Sequence, residues 1–183
     1  PDGNESVNLA LSNPTGGASL GSPITAVLTI LDSSIGFAET QLTNQLNSPV
    51  TMAVAPDGRI FVAQQAGAIR VIKNGALLAA PFATVGTVAD DEEGLVGITF
   101  DPNFATNGFV YVAYTVVVPT RHNVIARLAA SGDVVVPGSE VRLFDLDDNA
   151  AHYHVGGALH FGGDGKLYLS TGDNANGGNS SQI

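Results

Sequence analysis

Two short stretches near the start of the chain alternate polar and apolar side chains. Residues 5–12 and 24–30 follow this period of two, which predicts half-buried strands. Residues 13–17 between them combine a proline, which fixes φ, with two glycines that accept positive φ, so they predict a turn. Because two strands alone do not make a stable domain, this part of the chain is expected to be the remnant of a larger β structure.

From residue 37 onward, a pattern of strand, glycine turn and strand occurs three times. The copies occupy residues 52–63, 97–113 and 158–170. Each turn has an Asp-Gly or Asn-Gly pair, and the glycine of each pair is expected to take the positive φ of a tight hairpin; these glycines are Gly58, Gly108 and Gly165. The copies recur at intervals of about 50 residues, which is the length of a four-stranded propeller blade.

The segments between the copies supply candidates for the outer strands of each blade. They are residues 68–73 and 82–85, then 123–128 and 141–144. The fold class predicted is therefore all-β, with about two and a half blades of a β-propeller. An extended run at residues 37–42 precedes the first blade. In propellers, such a run usually becomes the outermost strand of the last blade and closes the ring, but that blade is expected to be absent from this chain. The alternative is a β-sandwich with coincidentally similar hairpins, but threefold repetition at blade spacing favours the propeller.

The composition excludes several classes of function. Apolar residues make up 44% of the chain and charged residues 13%, as in a packed globular protein. A net charge of -10 argues against a partner that is nucleic acid or anionic lipid. There is no cysteine, and no apolar run approaches the roughly eighteen residues of a membrane span. Without a starting methionine or a signal-peptide pattern, the chain is expected to be a fragment.

The main candidate for a catalytic residue is His154, which lies in the loop that enters the inner strand of the third blade. Such loops form one rim of a propeller's central channel, and Gly156 and Gly157 would let a flat ligand approach the backbone. Histidine suits a general base because its usual pKa of about 6.5 lies near operating pH. A histidine beside glycines can equally be a hydrogen-bonded structural residue, so position alone leaves both interpretations open.

Three sequence blocks resemble one known family. Residues 154–173 (HVGGALHFGGDGKLYLSTGD), 92–104 (EEGLVGITFDPNF) and 44–49 with 56–58 are similar to the glucose/sorbosone dehydrogenase family, the soluble sugar dehydrogenases that use pyrroloquinoline quinone (PQQ). The similarity spans residues 37–178. It implies a six-bladed β-propeller, a sugar substrate, an electron acceptor, PQQ and Ca²⁺ as cofactors, and a secreted, periplasmic or cell-surface location.

The same resemblance implies roles for four residues. His154 would take the proton from the sugar hydroxyl while hydride passes to the quinone, and Asp173 would orient its imidazole. Glu92 and Tyr153 would lie on the cofactor side of the site. The alternatives are a turn residue for Asp173 and an exposed acid for Glu92. Glucose-oxidising members have an aspartate at the position of Tyr153 and a basic residue at Ala158, so glucose is not the expected substrate.

Metal sites made by this chain alone have weaker support, and none is predicted. His152 and His154 would point the same way on a strand and could share zinc with a carboxylate. Residues 145–149 resemble the start of a calcium loop, but the glycine and glutamate that an EF-hand requires are missing. His160 is expected to be structural and His122 to be exposed. Most PQQ and Ca²⁺ ligands are expected in later blades, so the fragment itself is predicted to be inactive.

Residues 1–33 resemble the C-terminal hairpin of a Calx-β domain, and residues 34–183 the N-terminal part of the propeller. Calcium binding by the hairpin is not predicted, because Asp32 is followed by serines instead of an acidic cluster. Calx-β domains occur in large surface proteins. The alternative function is therefore a non-catalytic cell-surface module for binding or adhesion.

Overall fold

The computed structural model describes residues 5–30 and 38–178. The chain divides into two compact units, residues 1–40 and 41–183. Across the described residues there are fourteen strands and one helix of a single turn, and no helix there is long and apolar enough to cross a membrane. The predicted all-β class is confirmed.

The first unit contains one antiparallel hairpin, formed by β1 (Glu5–Ala10) and β2 (Thr25–Ile30). Val7 pairs with Leu28, and Leu9 with Ala26, which places apolar side chains on one face. The other face is mainly polar. Both strands are exposed along their whole length. The two predicted strands are confirmed, but among the described residues of this unit nothing covers the apolar face.

The second unit begins with a five-stranded antiparallel sheet, made of β3 (Pro49–Val54), β4 (Ile60–Gln64), β5 (Ala68–Lys73), β6 (Ala76–Leu77) and β7 (Ala83–Thr84). The first three strands pair in chain order, and the two short ones both pair with β5. Gly58, in the turn after β3, has a φ of 85° as expected. The sequence pattern predicted all of these strands except β6.

The next sheet repeats this design with β8 (Leu95–Phe100), β9 (Phe109–Val116), β10 (His122–Ser131), β11 (Val134–Val135) and β12 (Val141–Asp148). Strands β8, β9 and β10 pair in order, and β11 and β12 both pair with β10. The turn after β8 contains an unpredicted helix, α1 (Phe104–Asn107), which ends at Gly108 with a φ of 66°. Strand β12 continues to Asp148, beyond the predicted end at residue 144.

The third copy is a hairpin of β13 (Gly156–Phe161) and β14 (Leu167–Thr171), with Gly165 in its turn at a φ of 75°. The first strands of the three sheets, β3, β8 and β13, together line a cavity of about 570 Å³. Successive up-and-down sheets around a shared channel are typical of a propeller. The structure therefore has two blades and the inner half of a third, as predicted.

Aromatic rings fill the space between the first two sheets. Phe61 packs edge-on against Phe82 and against Phe100, with centroids 5.0 Å apart in both cases, and Phe100 packs on Phe104 at 4.7 Å. Such edge-to-face pairs stabilise a core beyond the area that they bury. These contacts join the first two sheets in one hydrophobic core.

The expectation for residues 37–42 is not tested. Phe37 lies outside the described residues, and residues 38–42 form no strand, but the described part of the chain contains no closing blade with which they could pair. The expectation for His122 is wrong. His122 was expected to be exposed, yet it is 6% exposed, because β12 extends far enough for Asp148 to pair opposite it. His160 lies on β13 and lines the channel cavity.

Candidate active site

His154 lies at the end of the loop that joins β12 to β13. It has a φ of 58°, a left-handed conformation that is uncommon for a residue with a Cβ atom. Its side chain is 58% exposed, so a ligand can reach the ring. Left-handed residues other than glycine cluster at functional sites. The backbone conformation and the sequence therefore both indicate His154 as a candidate functional residue.

Asp173 meets His154 through the pairing of the third hairpin. Gly156 lies opposite Thr171 in the antiparallel pair, so the residues just outside this pair lie at the same end of the hairpin. The Nδ1 atom of His154 is 3.0 Å from Oδ1 of Asp173. When Nδ1–H donates to this carboxylate, the lone pair of the neutral ring is on Nε2. The two side chains have the arrangement of a base and the group that orients it.

Both polar groups of the His154 backbone are hydrogen-bonded. Its N–H donates to Oε2 of Glu92 at 2.6 Å, and its carbonyl accepts from the N–H of Asn174 at 3.0 Å. Gly172 lies so close to this carbonyl that a Cβ atom there would overlap it. Glu92, expected on the cofactor side of the site, is thus placed against the backbone of the candidate base.

Asn174 fixes the loop that carries His154. Its Oδ1 accepts hydrogen bonds from the backbone N–H groups of Ala150 and Ala151, at 2.9 and 3.1 Å, and its Nδ2 donates to the carbonyl of Asp148 at 3.1 Å. Asparagine commonly bonds backbone groups in this way. The only signal in the sequence is its place directly after Asp173, in a segment typical of a turn.

A buried carboxylate supports the loop on the other side. Glu93 is 0% exposed; the Arg121 guanidinium bonds its Oε2, and Nδ2 of Asn149 donates to its Oε1 at 2.9 Å. Nε2 of Gln65 donates to the carbonyls of Asp91 and Glu93, at 2.7 and 2.9 Å. Nothing in the acidic run at residues 90–93 distinguishes Glu93 from its neighbours except its position before an apolar strand.

The described carboxylates and histidines do not form a convincing metal site. Ligand atoms of Asp90, Glu93 and His152 lie within 4.8 Å of one another, but Arg121 pairs with Glu93 and lies 3.6 Å from Asp90. A guanidinium therefore already supplies the positive charge. His152 and His154 lie in a loop instead of on a strand, and they contact different carboxylates: Nδ1 of His152 is 3.0 Å from Asp90.

Residues 145–149, which resemble a calcium loop in sequence, are mostly strand. Asp145 lies 3.5 Å from Nε2 of His122, whereas Asp148 accepts a hydrogen bond of 2.5 Å from Thr120. Strand β12 is irregular between these two aspartates, which pair opposite His122 and Val124. Each carboxylate contacts a different side chain, so no shared ion site is assigned to them.

Two features beside His154 bear on ligand access. Tyr153 is 49% exposed, and its ring centroid is 5.7 Å from that of His154 at an interplanar angle of 77°. Gly157 was expected to leave room for a ligand, but it has a φ of 113°, and a Cβ atom there would overlap the side chain of Val96. Glycine is therefore required at residue 157 by packing within the protein.

A cavity of about 280 Å³ adjoins His154. Its polar lining includes Asn123, Asp147, Asn149 and Asn174. Amide and carboxylate groups around a small cavity suit a hydroxylated ligand better than an apolar one. The site thus combines an accessible imidazole, a carboxylate that orients it and an adjoining cavity with a polar lining.

Comparison with known proteins points to one family. The sequence model of the family described as Glucose / Sorbosone dehydrogenase matches residues 46–183. Mouse Hedgehog-interacting protein is 30% identical over 146 residues, which cover 70% of this chain and 21% of that protein. An uncharacterized protein of Synechocystis is 28% identical over 144 residues, 72% of this chain and 34% of that protein. The chain spans only about a fifth to a third of these relatives.

Solved structures of sugar dehydrogenases share the fold. A Thermus thermophilus protein assigned as a glucose dehydrogenase matches with a TM-score of 0.68 and 30% identity, over 75% of this chain and 41% of that one. The PQQ-bound aldose sugar dehydrogenase of Streptomyces coelicolor matches with a TM-score of 0.66 and 27% identity, over 76% of this chain and 42% of that one. These likenesses confirm the propeller fold inferred from the repeat.

Proposed function

The chain belongs to the glucose/sorbosone dehydrogenase family, and we propose that it is the part of a quinone-dependent sugar dehydrogenase that carries the catalytic base. The observation that supports this is the contact of 3.0 Å between Nδ1 of His154 and Asp173. That contact selects the tautomer in which Nε2 can accept a proton. The side chain is also exposed enough to meet a substrate.

In the proposed reaction, a sugar is oxidised at a carbon that bears a hydroxyl group. Nε2 of His154 takes the hydroxyl proton while the C–H bond breaks and a C=O bond forms. Asp173 stabilises the resulting imidazolium and keeps the ring in place. When bound, PQQ supplies the acceptor for the hydride that leaves the carbon, since no protein side chain accepts a hydride readily.

The residues present fit one side of such a cofactor site. His154 and the adjacent ring of Tyr153 offer a base and an aromatic surface. PQQ is an anion, however, and the two side chains that bind His154 directly, Glu92 and Asp173, are carboxylates. Arg121 is already paired with Glu93. We therefore assign the cationic contacts and the Ca²⁺ ligands to parts of the whole protein beyond the span of this chain.

The proposed substrate is an aldose or sorbosone-type sugar other than glucose. Tyr153 and Ala158 stand where glucose-oxidising members of the family carry charged residues. A neutral sugar is also compatible with the acidic surroundings, because it is not repelled by them. The family resemblance further implies a secreted, periplasmic or cell-surface protein.

The test is dye reduction by the full-length protein, reconstituted with PQQ and Ca²⁺ and assayed with a panel of aldoses. Wild type should reduce dye, and His154→Ala should lower kcat by roughly 10²- to 10⁴-fold, the usual contribution of a general base. The control is His160→Ala, which changes a histidine of the same hairpin. Equal rates for wild type and His154→Ala would show that His154 is not the base.

A second candidate function is a binding module without catalysis. It is favoured by the 30% identity to mouse Hedgehog-interacting protein, whose name describes a protein that binds another protein. Isothermal titration of the full-length protein with PQQ in the presence of Ca²⁺ separates the two candidates. Micromolar or tighter binding supports the dehydrogenase, and absence of binding supports the module.

The domain assignment is part of the same proposal. Residues 1–33 would end a Calx-β domain, and residues 34–183 would begin the propeller. Its support is the hairpin of β1 and β2, whose apolar face is exposed and needs a second sheet to cover it. Removal of residues 1–33 should leave the unfolding transition of the propeller part unchanged in calorimetry.

A further inference from the structure

Glu92 lies 62 residues before His154 in the chain, yet its carboxylate contacts that residue's backbone. Oε2 of Glu92 accepts the N–H of His154 at 2.6 Å. An N–H that donates to a carboxylate makes a charge-assisted bond, which is shorter and stronger than a neutral one. Glu92 is therefore bound to the candidate base by a contact that does not involve the imidazole.

The backbone of His154 needs such support. A φ of 58° is unfavourable for a residue with a Cβ atom, and such a conformation persists only where surrounding contacts hold it. Glu92 binds the N–H, and the N–H of Asn174 binds the carbonyl. The backbone of a residue sets the direction of its Cα–Cβ bond. Hydrogen bonds to both the N–H and the carbonyl of His154 therefore fix the direction in which its side chain leaves the backbone. The contact with Asp173 then sets the ring itself.

Glu92 is itself held in place. Its own N–H donates to the carbonyl of His152 at 3.1 Å, so two hydrogen bonds join the segments at residues 92 and 152–154. The next residue, Glu93, is buried and paired with Arg121. Gln65 binds the carbonyls on either side of Glu92. The carboxylate is thereby organised before any ligand arrives, as a supporting residue of an active site should be.

We propose that Glu92 is a positioning residue, which holds the backbone of His154 in the left-handed conformation that aims the base at its substrate. The inference rests on the proposed function only in calling His154 the base. It differs from the expectation that Glu92 contacts substrate or cofactor. A positioning role predicts a loss in kcat, whereas a direct contact with the substrate predicts a rise in KM.

The experiment compares Glu92→Met, Glu92→Ala and Glu92→Gln in the full-length protein. Methionine keeps the length of the side chain but removes the acceptor, whereas the carbonyl of glutamine can still accept the N–H. We expect Glu92→Met to lower kcat by about 10- to 100-fold, as for loss of one charge-assisted hydrogen bond, with KM changed by less than about threefold. Glu92→Gln should recover most of this loss. Asp91→Asn, which removes the neighbouring charge, is the control and should match wild type.

Hydrogen exchange of the cofactor-free protein gives a readout independent of activity. Peptides covering residues 152–156 should exchange faster in Glu92→Met and Glu92→Ala than in wild type, and at nearly the wild-type rate in Glu92→Gln. A raised KM with unchanged kcat, a glutamine variant as slow as the methionine one, or unchanged exchange would each overturn the proposal. If wild type reduces no dye at all, the proposed function fails, and the exchange data alone decide whether Glu92 holds His154. Should Glu92→Met and Glu92→Ala both fail to fold, Glu92→Gln with wild-type exchange still supports the contact, and Glu92→Gln with fast exchange refutes it.

Discussion

Nδ1 of His154 lies 3.0 Å from Oδ1 of Asp173, although nineteen residues separate the two in the chain. The hairpin of β13 and β14 produces this contact, because the start of β13 pairs with the end of β14. His154 therefore receives its orientation from the same blade that carries it. Asp173 lies two residues beyond the end of β14, so a strand anchors the group that supports the base, and sites anchored on strands are more precise than sites on loops.

Replacement of Asp173 by asparagine should impair the proposed base without removing it. The amide can donate a hydrogen bond to Nδ1, which would place the ring proton on Nε2. Nε2 could then no longer accept the proton of the substrate hydroxyl. In the full-length protein with PQQ and Ca²⁺, we expect kcat to fall roughly a hundredfold or more, as a wrong tautomer does in other enzymes. The control is Asp164→Asn, in the turn at the opposite end of the hairpin. Full activity of Asp173→Asn would show that Asp173 is only a turn residue.

Gly172 should tolerate no side chain. A Cβ atom there would overlap the carbonyl of His154, and the carbonyl belongs to a backbone that hydrogen bonds already fix. Gly172→Ala should therefore lower the free energy of unfolding by about 1–3 kcal/mol, the usual cost of overpacking. Gly163→Ala is the matched control, since nothing lies within 4 Å of a Cβ atom at that glycine. Urea denaturation of this chain measures both, and equal midpoints would contradict the overlap.

Local patterns predicted the blades because each blade is built from local hairpins. Period-two alternation and the Asp-Gly or Asn-Gly pairs located β3 with β4, β8 with β9, and β13 with β14. Gly58 and Gly165 have positive φ in hairpin turns as predicted, whereas Gly108 has positive φ at the C-terminus of α1 instead of in a tight hairpin. The two-residue strands β6 and β11 were missed, because so short a strand has no periodicity and exists only through its pairing with a neighbour.

The supporting contacts of the site could not be predicted in the same way. Glu92 and Glu93 differ by one position in an acidic run, yet one binds the backbone of His154 and the other is buried against Arg121. Which of the two acids contacts His154 depends on how two blades pack together, over a separation of 62 residues in the chain. His122 was misjudged for a different reason, since the length of β12 within its own blade decides its burial.

Arg59 joins the first two blades and should matter for stability. It is 9% exposed, pairs with Asp57 and Asp133, and lies over the rings of Phe61 and Phe104. Arg59→Met should lower the free energy of unfolding by about 1–3 kcal/mol, because the buried guanidinium loses its hydrogen bonds to the partly exposed carboxylates of Asp57 and Asp133.

Lys166→Met provides the comparison for Arg59→Met. The Lys166 side chain is 78% exposed and lies 3.5 Å from Asp164, so its removal should change the free energy of unfolding by less than about 0.5 kcal/mol. Urea denaturation of both variants tests the contrast. Similar shifts for the two would show that Arg59 does not link the blades.

Low pH should weaken the contacts around Arg59 that join the first two blades. The hydrogen bond from Arg59 lowers the pKa of Asp57 from its ordinary value of 3.8, and the hydrogen bond from Lys73 lowers the pKa of Asp133. Both carboxylates bind protons less tightly in the folded chain than in the unfolded one. Their contribution is therefore complete above about pH 5 and is lost as pH falls through the lowered pKa values. Unfolding free energies measured from pH 5 to pH 2 should fall less steeply in Asp57→Asn/Asp133→Asn than in wild type.

Ionisation of Tyr114 should destabilise the fold at high pH. Burial, and then the hydrogen bond that its hydroxyl donates to Glu140, raise the pKa of Tyr114 from 10.0 to about 12. The folded chain therefore keeps this proton at a pH where the unfolded chain releases it, so the contribution is present below pH 10 and is lost as pH rises to 12. Tyr114→Phe should remove that part of the decline in unfolding free energy, whereas Tyr168→Phe, at an exposed tyrosine of β14, should leave it in place. A wild-type decline that Tyr114→Phe does not reduce would mean that this hydroxyl ionises equally well in the folded chain.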